Sequence, residues 1–157
     1  VIQNIRKWNP KAMIIKAASV VTVQHPEKIP GKKVLVIEDG PTLTHGGLTH
    51  GAGTIAALKH KGIIIDARPY AVGSIQETYQ KWKHLGKELP AMGYSKQQIK
   101  ELQETLNQAK CDIIIDGSPA NLQRIVKVNK PILNVTYQLE ERGKLTLQHV
   151  ITKHFKG

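Results

Sequence analysis

Val34, Leu35, Val36 and Ile37 form an unbroken apolar run with no solvent-facing position, the pattern of a strand buried on both sides. The chain turns polar at once: Glu38 and Asp39 lead into PTLTHGGLTHGAG, and Ile55, Ala56, Ala57 and Leu58 then follow at helical spacing. This predicts strand, glycine-rich loop, helix. The pattern recurs twice. Gly62 to Ile65 reads as a second strand running into DARPYAVGS, with a helix over IQETYQKWKHL N-capped by Ser74 and closed by Glu77 as a capping box. GKELPAMGY is a turn into another helix, which begins at Ser95 with Gln98 completing a second box and lines one face with Ile99, Leu102 and Leu106. Ile113 to Ile115 form the third strand, and DGSPAN opens a helix with Ser118 as N-cap and Pro119 at its first position, burying Leu122, Ile125 and Val126. Pro131 opens a last strand, ILNVTYQL; LQHVITKHF is either helix or strand.

Upstream, residues 1 to 10 end an amphipathic helix stopped by Pro10, and AMIIKAASVVTV supplies one strand or two short ones. Pro26, Pro30 and Gly31 make HPEKIPGKK a linker, placing a boundary between residues 1–24 and a main body over 31–157. Strands alternating with helices at this spacing predict an α/β fold: three layers, a mostly parallel Rossmann-like sheet with helices on both faces. The polar loops EDGPTLTHGG, DARPYAVGS and DGSPAN then leave the carboxyl ends of strands, the edge where open parallel sheets bind ligands.

Composition narrows the classes. The chain has 157 residues, enough for a core without staples, and its single cysteine excludes an internal disulfide and points to a reducing, cytoplasmic setting. Cys111 reads as inert packing. No apolar run reaches membrane-spanning length, and VIQNIRKWNP lacks the apolar core of a signal peptide. Lys and Arg total 23 against 12 Asp and Glu, a net charge of +11 that favours polyanionic partners. The basic residues are scattered, however, and aromatics are only 4 %, which leaves little for a nucleic-acid stacking platform.

The candidate chemistry sits in the loops. Five glycines and two histidines between Gly40 and Gly53 exceed what a tight strand-to-helix connection needs, and N–H groups of a glycine loop at a helix N-terminus suit an anion. The same glycines could instead only shape the turn. Thr44, Gly46, Gly47, Gly51, Gly53, Ser74 and Ser118 are the candidate phosphate or substrate ligands. Arg68 could fork onto a phosphate or carboxylate, or could pair with Asp66 or Asp116. His45 reads as a phosphate donor or proton-transfer group. His45, His50 and Asp39 match no zinc spacing, although Asp39 could help hold Mg²⁺ carried by a nucleotide. No G-x-x-x-x-G-K-[ST] loop occurs, so the chain is no self-sufficient P-loop NTPase.

The runs NPKAMII, GKKVLVIEDGPTLTHGG, GAGTIAA, DARPYAVGSI, LPAMGY, QQIKELQETLN, CDIIIDGSP and NKPILNVTYQL span nearly the whole chain. In that order they resemble the C-terminal part of the P-loop GTPase family related to archaeal cyclic 2,3-diphosphoglycerate synthetase. The resemblance implies that residues 1–24 end an upstream NTPase domain, with Ser19 placed near a nucleotide base, and that 31–157 form a separate substrate domain. It also implies a ligase using ATP or GTP with Mg²⁺, bound mainly by the upstream domain, to activate a phosphorylated small molecule. Asp39, His45 and Arg68 are then the catalytic candidates. Where that family shows R-V-R-Y, this chain has Asn134 to Tyr137; where it shows G-T-P-I-D-L, this chain has Gly117 to Leu122 with Asn121 in place of the acid. The competing expectation is a non-enzymatic basic module that binds nucleic acid or another polyanion. Under either expectation a homo-oligomer is open.

Overall fold

A computed structural model describes residues 1–46 and 50–154. The chain forms two compact units: Val21–Thr136, and a second made of Val1–Val20 with Tyr137–Gly157.

The larger unit is built on β2 (Lys33–Asp39), whose Val34 to Ile37 are wholly buried. Alternation decides which layer each side chain enters. Leu35 and Ile37 join Ile75, Leu89, Leu102, Leu106, Ile114 and Leu122 in one cluster, while Val34 and Val36 join Ala56, Ala57, Ile113, Ile115 and Leu133 in the other. The first cluster lies under α4 (Gly73–Lys81) and α5 (Lys96–Gln108), and the second under α3 (Ala52–Lys59). Helices therefore cover both faces of the sheet, the three-layer α/β architecture expected from the chain pattern.

β2 pairs in parallel with β5 (Ile113–Gly117) on one side. On the other it pairs in parallel with both β3 (Ile63–Ile64), at Lys33 and Val34, and β4 (Leu89–Ala91), at Ile37 to Asp39. β6 (Ile132–Glu141) adds to β5 in parallel, and β1 (Ala17–Val23) completes the order β1-β6-β5-β2-β3. Thr22 with Thr136, and Gln24 with Asn134, make β1 the antiparallel member. Since β3 and β4 lie on one side of β2 and β5 on the other, the strand order reverses between β2 and β5. That is the switch point at which such sheets open a crevice.

Several local expectations are corrected. Helix α4 begins at Gly73, with Val72 at the N-cap, and Ser74 caps nothing. Its hydroxyl and N–H instead go to Glu101, a residue of α5. The helix predicted after DGSPAN is a single 3₁₀ turn, Leu122–Arg124, with Asn121 at its start. Ser118 turns back onto Asp116 instead, and a hydroxyl spent there cannot cap a helix. Two elements had no pattern to announce them: β4, hidden in a segment read as a turn, and the five-residue α2 (Gly40–Thr44). The box of Ser95 and Gln98 on α5 forms as expected.

In the smaller unit, α1 (Ile2–Trp8) precedes the start of β1, and α6 (Leu147–His154) settles the last segment as helix. Arg142 N–H donates to the Lys16 carbonyl, and Glu141 accepts from Leu147 N–H at the start of α6. Among the described residues no helix is long and apolar enough to cross a membrane.

Candidate functional site

The carboxyl ends of β2 and β5 meet at Glu38, which is 1 % exposed. Its Oε1 accepts N–H bonds from Gly51 at 3.2 Å and Thr54 at 2.7 Å, and its Oε2 from Gly53 at 3.2 Å. These are the unpaired donors of the α3 N-terminus, where the helix dipole favours negative charge. The amides offered to phosphate by sequence are thus held by a carboxylate of the chain itself. Glycine is required around it: a Cβ on Gly117 would stand 2.6 Å from both Glu38 Oε2 and Gly53 N, and one on Gly53 would stand 3.2 Å from Glu38 Oε1. Burial pushes the Glu38 carboxyl above its ordinary range, with the bonds from Thr54, Gly53 and Gly51 working against that.

The same device recurs at the other loops. Asp39 caps α2, accepting from Thr42 N–H at 3.2 Å and Thr42 Oγ1 at 2.6 Å. Glu101 accepts from Ser74 N–H at 3.0 Å in the first turn of α4, and its hydrogen bond with the Ser74 hydroxyl is the main cause that lowers its carboxyl. Asp66 takes Arg68 N–H at 3.0 Å together with the guanidinium: Nε at 2.9 and 3.1 Å, and Nη2 at 2.6 Å. Arg68 is therefore in the ion pair that the sequence left as one of its alternatives, and this pair holds Asp66 below its usual range. Asp116, 1 % exposed, accepts from Ser118 N–H at 3.0 Å, Ser118 Oγ at 2.7 Å and Leu122 N–H at 3.3 Å; burial raises it. With Glu141 at the start of α6, six of the 12 acids fill the anion-attracting turns that follow strands or open helices.

Beside Asp116 lies a cavity of 180 Å³ at the carboxyl end of β5 and along the first half of β6, lined by Asp116, Ser118, Asn121, Asn134 and Thr136 with Pro119, Ala120 and Val135. Among the described residues no lysine or arginine lines it, despite the basic composition. Asn134 stands opposite Asp116 in the parallel ladder, and its buried Oδ1 has no partner among the described residues. Tyr94 belongs to this edge as well: burial raises its hydroxyl, Ser118 works against that, and the charges of Asp116 and Asp39 add to it.

His45 lies in a different cluster. Thr44 Oγ1 donates to the Gly40 carbonyl at 2.9 Å and meets His45 Nδ1 at 2.8 Å. A hydroxyl has one proton to give, so Nδ1 carries the hydrogen and Nε2 keeps the lone pair in the neutral ring. The ring packs edge-on to Trp82 at 4.8 Å, and Trp82 in turn meets His84 at 5.9 Å. Ser74 lines a crevice of 10 Å³ with Met92, Gln98 and Leu102, room for about one water. The expected ligands therefore divide: Gly51 and Gly53 at Glu38, Ser118 at the Asp116 cavity, Thr44 and His45 with Trp82, Ser74 with Glu101, and Arg68 with Asp66. Gly46 follows α2, its N–H donating to the Pro41 carbonyl, and Gly47 lies outside the described residues. Among the described residues no group of three or more His, Cys, Asp and Glu is placed to hold a metal, and Asp39 Oδ2 is engaged by Thr42.

The chain is 55 % identical over 156 residues to arginine synthetase ArcE of Thermococcus kodakarensis. The alignment takes in 99 % of this chain and 35 % of ArcE, so the chain spans about a third of that relative's length. ArcE's name speaks of arginine and of synthesis, and of neither a GTPase nor diphosphoglycerate; the P-loop GTPase resemblance gains no support from it. No protein-family model and no solved structure matches the chain.

Sequence reasoning alone did not single out Tyr94, Asn121 or Asn134 as site residues. Asn121 and Asn134 carried a signal in their departure from the acid and arginine of the diphosphoglycerate-related family, while Tyr94 stood in a segment with no periodicity.

Proposed function

We propose that the Val21–Thr136 unit binds the substrate of a nucleotide-dependent synthetase that acts on an amino acid with a nitrogen-rich, hydrogen-bond-donating end, as the name of ArcE suggests for the longer protein. The observation that carries the reading is the Asp116–Asn134 cavity: among the described residues it offers carboxylate, hydroxyl and amide oxygens and no cation. A diphosphorylated ligand there would add several negative charges next to buried Asp116 and Glu38 with nothing to neutralise them. A ureido or guanidino group brings planar N–H donors, which carboxylate and amide oxygens accept well. Converting a ureido to a guanidino group exchanges oxygen for nitrogen. The ureido oxygen would be phosphorylated by ATP or GTP with Mg²⁺, bound by a domain outside this chain, and an amine would displace it as phosphate. In this scheme Asp116 and Asn134 orient the nitrogen end, and Ser118 and Leu122 N–H hold Asp116 in place. The rival use, phosphoryl activation of a phosphorylated substrate as in the diphosphoglycerate-related family, would need cations where Asn134 and Thr136 stand.

Calorimetric titration of the chain with arginine, citrulline and 2,3-diphosphoglycerate decides between them. Saturable binding of arginine or citrulline, weakened about tenfold or more by Asn134→Leu, is expected from the loss of a buried acceptor. Binding of 2,3-diphosphoglycerate alone would refute the reading. Binding confined to duplex DNA, falling steeply with salt, would put the +11 charge to work as a polyanion module instead.

A further inference from the structure

The unit formed by Val1–Val20 and Tyr137–Gly157 has hydrogen-bonded structure without a core: not one of its described side chains is buried. Its helices are seven and eight residues long, shorter than isolated helices that persist in water. Its polar groups are nevertheless well tied. Arg6 Nη1 donates to the Pro10 and Ala12 carbonyls at 2.7 and 2.8 Å, Leu147 N–H to Glu141 at 2.6 Å, and Thr146 Oγ1 accepts from His149 N–H at 3.2 Å. Local bonds of this kind fix shape, but they do not offset the entropy of ordering a segment whose apolar side chains are at most half-buried.

The apolar side chains are grouped. Tyr137 and Leu139, two apart on β6, share one face of the strand and are 68 % and 77 % exposed. Leu147 and Ile151, four apart on α6, share one face of the helix and are also exposed. Leu139, Leu147 and Ile151 line a single open hollow of 640 Å³, rimmed by Glu140, Glu141, Thr146 and Gln148. An apolar floor with a polar rim is the anatomy of an interface.

We infer that this hollow docks a domain of the same longer polypeptide, of the kind that ArcE carries outside the 35 % of its length aligned here, and that residues 137–153 complete a core with that domain. The relative's additional chain supplies the occupant. This inference does not depend on what the Asp116 cavity binds, so either can fail alone.

The test replaces the aligned 156 residues of ArcE with this chain and compares hydrogen exchange in the chimera and in the 157-residue chain alone. Amides of 137–153 are expected to exchange about 100-fold more slowly in the chimera, because burying the three apolar side chains makes local opening rarer. Leu139→Asp with Ile151→Asp in the chimera is expected to abolish that slowing while leaving amides of Val34–Ile37 as protected as before. Equal protection of 137–153 in the isolated monomer and the chimera would overturn the inference. Protection that rises with concentration of the isolated chain would also overturn it, by making a second copy the occupant.

Discussion

Glu38 is the sharpest place to test this account of the fold. Its Oε1 carries two of the three α3 N–H bonds and its Oε2 the third, so substitutions that remove one acceptor or all of them should grade. In Glu38→Gln the surviving oxygen can keep Gly51 and Thr54 at the Oε1 position, but the amide nitrogen then faces Gly53 N–H, donor against donor. One buried donor left unsatisfied costs about 1–3 kcal/mol, and relief of carboxylate burial brings the expected loss to about 1–2 kcal/mol. Glu38→Ala leaves three donors unsatisfied and a void beside Gly53 and Gly117, for an expected loss of about 3–5 kcal/mol. Urea unfolding at neutral pH, followed by far-UV circular dichroism, would read the Ala variant as a midpoint lowered by roughly 2 M at a slope of about 2 kcal/mol per M. A pH series adds an independent check. Because burial raises the folded Glu38 carboxyl above 4.5, its titration contributes stability that is fully present below 4.5 and lost as pH rises through the raised folded value. Wild type should therefore gain on Glu38→Gln as pH falls from neutrality toward 4.5. A Glu38→Ala protein within about 0.5 kcal/mol of wild type would refute the reasoning, since three buried helix donors cannot lose their acceptor for so little.

Two other substitutions test neighbouring parts. Gly73 has φ +54°, and a Cβ there would collide with the Glu101 carboxylate, so Gly73→Ala should cost about 1–3 kcal/mol and lower the thermal midpoint. A midpoint unchanged from wild type would mean that the Ser74–Glu101 capping is not held as described. Arg68→Ala should leave the urea midpoint nearly unchanged, since its ion pair with Asp66 is solvent-exposed. It should also let the Asp66 carboxyl rise toward 3.8 in a carbon-detected NMR titration. With Arg68 present, the lowered Asp66 contributes stability above pH 3.8 that is lost as pH falls through its folded value; a titration unmoved by the substitution would show that Arg68 is not its partner.

Much of the fold was legible from neighbours in sequence. The run Val34 to Ile37 reads as a two-sided strand and is one, and Ser95 and Gln98, three apart, close the capping box that their spacing predicts, although the same spacing at Ser74 and Glu77 closes none. These features depend on local periodicity and on pairs within one turn. What sequence neighbours could not decide was who occupies each helix N-terminus. A glycine loop before α3 attracts an anion whether that anion is a phosphate or the chain's own carboxylate, and Glu38 reaches Thr54 only because β2 and α3 pack as they do. For the same reason, the nine described candidate residues that looked like one phosphate site divide among several hydrogen-bonded groups, and the cavity beside Asp116 is marked by Asn134, a residue whose local pattern says only strand. The residues of 137–153 show the same limit from the other side: α6 forms a helix with an apolar face, but whether that face meets a core depends on contacts far away in the chain. Periodicity determines which side of an element is apolar; only tertiary structure determines what lies against it.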